Sequence, residues 1–141
     1  MIFTSANGTF QANWLLYGAT WPDGFLTRPL TLAGIALFVF GMACNIHADH
    51  VLRSLRKPGE TAYKIPRGGL FEYVSGAHFV GEVIEWTGFA IATGGSYSAL
   101  VFAAFNWMGI GTRAIATHDW NVQKFGKNYP KDRKRLIPLV W

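Results

Sequence analysis

Asn45, Asp49, Leu52 and Arg56 recur at steps of three or four residues. At about 100° per residue they fall within roughly a 60° arc of one helix. An amide, a carboxylate and a guanidinium thus share a stripe at the end of an uncharged run, Thr31 to Ala43. A second stripe follows in His78, Glu82 and Glu85, and a third in Asn106, Arg113 and Thr117, with His118 and Asp119 just beyond. Ionisable groups in such apolar surroundings mark candidate functional sites. Two carboxylates beside a histidine suit a metal site, a proton relay or a cofactor clamp. One histidine with two acids, and no second histidine on that face, is a poor set for a metal. The bland reading is that Glu82 and Glu85 pair with basic residues of neighbouring helices. Arg113 suits bidentate recognition of a carboxylate or a phosphate, or else snorkels to a membrane interface.

Three apolar stretches must position these stripes: Leu30 to Ala48, Tyr73 to Thr93 and Tyr97 to Ala116. Each is near the ~20 residues that cross a bilayer core. The second is interrupted by Glu82 and Glu85, and acids at the centre of a span cost about 2.5 to 3.5 kcal/mol each, so it needs neighbours. Composition agrees. Half of the 141 residues are hydrophobic, 16% are aromatic and only 15% are charged, against ~25% charged in ordinary globular domains. The spacing therefore predicts an all-α membrane protein with about three transmembrane helices.

The net charge of +5 is not spread evenly, because eleven of the thirteen Lys and Arg lie in Arg53 to Arg67 or Lys124 to Arg135. Both blocks follow outgoing ends of spans one and three, while the Gly94-Gly95-Ser96 turn is uncharged. The positive-inside rule then places both blocks in the cytosol. Such blocks anchor to anionic headgroups or hold cofactor phosphates. They abut membrane spans and lack interleaved exposed aromatics, which argues against nucleic acid. Cys44 is the single cysteine, so no disulfide framework or thiolate-rich metal site is expected. Met1 to Phe10 lacks the basic start and apolar core of a secretory signal.

Ahead of span one, Trp14, Tyr17, Trp21 and Phe25 suit a headgroup layer, though Gln11 to Ala19 could also close another helix. Lys57-Pro58-Gly59 stops span one, and Ile65-Pro66-Arg67-Gly68-Gly69 keeps the following loop irregular. Tyr129-Pro130 ends the segment after span three, and apolar Leu136 to Trp141 is expected to pack or touch the membrane. Three polar stripes exposed to lipid would be costly, so they should converge on one cavity, with Arg53, Arg56, Lys64 and Arg67 at its cytosolic mouth. That arrangement suits an elongated anionic cofactor and a lipophilic partner. There is no GxGxxG after a strand, and no GxSxG or HExxH.

The runs NIHADHVLRSLRKPGETAYKIPRGGLFEYVSGAHFVGEVIEW and FGKNYPKDRKRLIPL closely resemble the C-terminal region of the steroid 5-alpha-reductase family. The resemblance extends over nearly the whole chain and is most specific from Asn45 to Trp86. It implies an integral membrane oxidoreductase that uses NADPH to reduce the 4,5 double bond of a 3-oxo-4-ene steroid, within a seven-helix bundle. Hydride passes from the nicotinamide to the ring carbon beta to the ketone while an acid stabilises the enolate oxygen. Carried over by position, the family's NADPH-contacting residues are Asn45, Asp49, Arg56, Tyr63, Glu82 and Arg113. The resemblance divides residues 1–141 into an interfacial lead-in (1–28), span one (29–52), a cytosolic loop (53–72), spans two and three (73–117) and a basic cytosolic tail (118–141). It implies the endoplasmic reticulum if the source is eukaryotic.

Three positions depart from the family pattern. His78 stands where Asn is usual, and Thr117 and Asn121 replace residues that help hold the cofactor. His118 aligns with the second histidine of a family pair and is expected to compensate in part. Family members also carry about four further spans upstream, which supply the acid and tyrosine that polarise the steroid ketone. The chain is therefore expected to represent the last three helices, to need those helices or a partner chain, and to hold no assigned catalytic residue. Two rivals stay open: a reductase of another lipophilic enone, such as an enoyl thioester or polyprenol-derived substrate, and a catalytically silent membrane partner.

Overall fold

A computed structural model describes residues 2–141, so Met1, the first residue of the lead-in, lies outside the described residues. Four α-helices are present among the described residues: α1 (Ile2–Asn13), α2 (Pro29–Ser54), α3 (Ala77–Ala92) and α4 (Tyr97–Phe125). No strand occurs among the described residues; a single parallel bridge joins Val74 to Lys134. The lead-in is more ordered than a headgroup coil. α1 runs into a widened π-helical turn over Trp14–Gly18, and Gln11 is buried on α4, donating to the Ser98 carbonyl at 3.0 Å and accepting from its hydroxyl at 3.1 Å.

Proline at the first helical position starts α2, where its missing N–H costs nothing. The helix stops at Ser54. Lys57 precedes Pro58, and a residue before proline is pushed away from helical dihedrals. Arg56 therefore sits in the turn after α2 and not on a fourth helical rung. Thr93 to Ser96 reverses the chain between α3 and α4. Gly94 and Gly95 take positive φ of 69° and 75°, a region open to glycine without strain. The Ser96 hydroxyl then caps α4 by accepting from the Ala99 N–H at 3.3 Å.

α2 and α4 are long and apolar enough to cross a membrane. Leu32, Ile35, Val39, Phe40 and Ile46 on α2, and Leu100, Val101, Phe105 and Met108 on α4, point outward and exposed. An apolar helix whose large side chains face outward is not the core helix of a water-soluble domain. α3 is shorter than expected, at 16 residues, about 24 Å of helix. It is also the most buried of the three, with Ala77, Phe79, Val80, Gly81, Val83, Gly88 and Ala90 all enclosed. It survives its two acids by leaning on α2.

That contact is made backbone to backbone. Gly34 and Gly41 on α2, and Gly81 and Gly88 on α3, are each spaced by seven residues and form one interface. A Cβ on Gly34 would strike the Ala92 backbone, on Gly41 the Glu85 backbone, and on Gly88 the Phe38 backbone. On Gly81 it would lie 2.6 Å from the Asn45 nitrogen. Close approach through small residues is how helices associate where hydrophobic contrast is absent. Below the glycines, Ala48, Phe71, Val74, Ala77, Val80, Ile110, Ala114 and Leu136 join the three helices and the tail in one core.

Gly41→Ala and Gly88→Ala should each destabilise the bundle by about 1–3 kcal/mol through overpacking. Gly109→Ala, where a Cβ meets nothing within 4 Å, should hold or raise stability because alanine is the better helix former. Thermal unfolding in detergent followed by circular dichroism checks this, and equal losses at Gly41 and Gly109 would refute the close contact.

Candidate functional site

Asn45 is fixed where α2 meets Gly81, and its amide donates to the His78 carbonyl at 3.1 Å. One turn along α3, Glu82 faces that amide and the charges of Arg113 and Asp49. Arg113 lies over the Phe79 ring at 5.0 Å. It forms no ion pair within 4.0 Å among the described residues, and neither do Glu82 and Glu85. Glycine at position 81 thus lets α2 bring the Asn45 amide against α3, one residue from Glu82. Asp49, a turn below Asn45, is latched by Arg53 of its own helix at 2.6 Å. Two buried acceptor or donor atoms near the three-helix contact, His78 Nδ1 and Asn106 Oδ1, have no hydrogen-bond partner.

A second group lies toward the loop. Arg56 sits over the Tyr63 ring at 4.6 Å and Lys124 over the same ring at 5.5 Å. Trp120 meets Tyr63 edge to face at 4.9 Å. Of the six residues carried over from the family, Asn45, Asp49, Glu82 and Arg113 share the inner group, and Arg56 and Tyr63 share the outer one. Lys124 and Trp120 were not singled out as site residues. Their signal was available, since Lys124 follows Arg113 by eleven residues on α4, three turns and about 16 Å along one helical face.

The tail folds back as a strap. Lys134 accepts from the Ser75 N–H and donates to the Tyr73 carbonyl, both at 2.8 Å. The Ser75 hydroxyl sits 2.6 Å from both His118 Nδ1 and the Tyr129 hydroxyl. His118 is thereby joined to the strap through its Nδ1. Asn121 is likewise turned inward, its amide donating to the Thr117 carbonyl at 2.8 Å. This bond uses the Thr117 backbone carbonyl and runs along α4.

Glu72 ties this strap to the loop. Its carboxylate accepts from the Gly68 N–H at 2.6 Å and from Arg67 at 3.3 Å, with the buried Arg133 at 4.0 Å. The Gly68 N–H first, and then the two guanidinium groups, hold its pKa below the ordinary value. Gly68 and Gly69, at φ of 95° and 53°, make this turn, and a Cβ on Gly69 would strike the His47 ring.

The donor set fits a nucleotide. Arg56, Arg113 and Lys124 make no ion pairs among the described residues, while Tyr63 and Trp120 keep about half their surface open at 52% and 43% exposure. Unpaired cations suit phosphates and open aromatic faces suit rings.

The family model described as 3-oxo-5-alpha-steroid 4-dehydrogenase matches residues 1–141. The chain is 50% identical over 139 residues to 3-oxo-5-alpha-steroid 4-dehydrogenase 1 of Mus musculus, covering 99% of this chain and 54% of that protein. It is equally similar, 50% over 139 residues with the same coverage, to 3-oxo-5-alpha-steroid 4-dehydrogenase 2 of Homo sapiens. The human type 1 protein is 45% identical over 141 residues. The chain spans about half the length of the curated relatives it matches.

Because Glu72 has a lowered folded pKa, its contribution to stability is present above its ordinary value of 4.5 and is lost as the pH falls through the depressed value. Glu72→Gln should be less stable than the native chain at neutral pH, and the gap should close in acid. Melting temperatures of both proteins from about pH 7 down to about pH 3 test this; a gap that widens in acid contradicts it.

Proposed function

The chain belongs to the 3-oxo-5-alpha-steroid 4-dehydrogenase family, and on that footing we propose that it provides the NADPH-binding helices of a membrane reductase. The proposed substrate is a 3-oxo-4-ene steroid. Bound NADPH supplies the hydride that reduces a double bond conjugated to a ketone. The observation that carries this reading is the line of unpaired cations, Arg113 on the inner group and Arg56 on the outer, running beside Asn45, Asp49 and Glu82.

In this reading Asn45 and Glu82, held together by the α2–α3 contact, present a donor and an acceptor to a polar planar ring. Asp49 offers a carboxylate for sugar hydroxyls, its exposed Arg53 latch being weak and exchangeable. Arg56 and Arg113 meet the anionic part of the ligand, and Tyr63 packs against it. We place the loop and the tail in the cytosol, where NADPH would reach them, and the protein in the endoplasmic reticulum if its source is eukaryotic. The outward apolar faces of α2 and α4 leave the lipophilic substrate a route through the bilayer.

The inward turn of Asn121 and the engagement of His118 by Ser75 favour one second reading: a membrane partner that has lost tight cofactor binding. Nicotinamide fluorescence titrations in nanodiscs separate the two. Saturable NADPH binding, weakened about ten-fold or more by Arg56→Ala or Asp49→Ala, supports a retained site. Steroid reduction should then appear when the N-terminal half of a curated relative is supplied. If NADPH fails to bind even with that half present, the reductase reading falls and the silent partner stands.

A further inference from the structure

The outer group contains a cation that the family resemblance does not supply. Arg56 comes from the turn after α2, Tyr63 from the loop and Lys124 from the last turn of α4. These three distant pieces of chain meet at one ring. Both charges are drawn to the same aromatic face system, at 4.6 and 5.5 Å from its centroid. They are therefore no more than about 10 Å apart, the sum of those distances, which is about one Debye length at 0.1 M salt. Like charges so close repel unless an anion lies near both.

Several cations are neutralised within the chain, but among the described residues exposed Lys57, Lys127 and Lys131 are not, so what sets Arg56 and Lys124 apart is the ring they share. Arg53 pairs with Asp49, Lys64 with Glu60, Arg67 with Glu72 and Arg135 with Asp119. Arg56 and Lys124 have no such acid among the described residues, although the loop and tail hold acids that partner others. Trp120, one turn before Lys124 on α4, braces Tyr63 at 4.9 Å and touches Phe125 at 6.3 Å. Trp120 thus braces the ring on which the two cations rest. Lys124 also continues the face of α4 that carries Arg113, so an elongated anion lying along that face would reach it.

We propose that Lys124 is the second cation of a phosphate clamp, with Arg56 the first and the Tyr63 ring the spacer between them. The clamp holds a phosphate group of the nicotinamide nucleotide, either the 2′-phosphate or the pyrophosphate. This inference rests on the nucleotide-binding reading above and adds a specificity-determining residue to it.

The test uses the full chain in neutral phosphatidylcholine nanodiscs, with NADPH and NADH as probes. Lys124→Ala should weaken NADPH binding about ten-fold, the size expected for one charge-assisted contact, and Lys124→Arg should restore most of it. Tyr63→Ala should also weaken binding, because it removes the ring on which both cations rest. A loss confined to NADPH assigns the 2′-phosphate, and an equal loss for NADH assigns the pyrophosphate; either supports the clamp. If Arg56→Ala weakens binding while Lys124→Ala does not, the clamp is wrong and the nucleotide reading survives. If neither nucleotide binds even when the N-terminal half of a curated relative is supplied, both fail. A Lys124→Ala effect seen only as weaker adhesion to phosphatidylserine vesicles would also overturn the clamp, identifying a headgroup anchor.

Discussion

Everything in this molecule depends on how closely α2 and α3 approach. Apolar side chains gain little by leaving lipid for protein, so helices in a bilayer need contact at short range to associate. Four glycines at seven-residue spacing provide it, with backbone against backbone from Gly34 opposite Ala92 down to Gly81 opposite Asn45. α3 is short and carries two acids, and could not hold its place by hydrophobicity. Its position is set by shape. The same contact fixes the Asn45 amide on the His78 carbonyl and presents Glu82 beside it, so the packing device and the site share residues.

The cations differ in what holds them. Arg53, Lys64, Arg67 and Arg135 each have an acid in the chain, whereas Arg56, Arg113 and Lys124 rest on aromatic rings. A cation over a ring keeps its donors pointing elsewhere, while an ion-paired cation spends them. The aromatic partners therefore order these side chains without occupying the groups that would meet a phosphate.

The tail has a different task. Among the described residues, buried Arg133 donates no hydrogen bond from its three guanidinium nitrogens, and it lies near Glu72 and the Tyr129 ring. A buried charge so sparsely answered is tolerable only where its surroundings hold it firmly. The strap does that by bridging Lys134 to Tyr73 and Ser75 and by seating Leu136 in the core. It closes the end of the helix trio on which the loop and Tyr63 depend.

Much of this was readable from residue order. Apolar runs gave the helices, Lys57-Pro58 and Gly94-Gly95 gave their ends, and three-and-four spacing singled out Asn45, Asp49, Glu82 and Arg113 as neighbours on their own helices. Those signals are local, governed by dihedral preference and helical periodicity. Which helix meets which, and through what, is not local. Whereas the Arg53 latch on Asp49 is an i,i+4 pair that spacing does relate, the glycine interface, the strap that claims His118 and the meeting of Lys124 with Arg56 on Tyr63 all join residues that spacing cannot relate. Only the folded chain decides them, because a hydrogen bond or a cation–ring contact depends on side-chain direction across elements, and the sequence specifies that direction through packing alone.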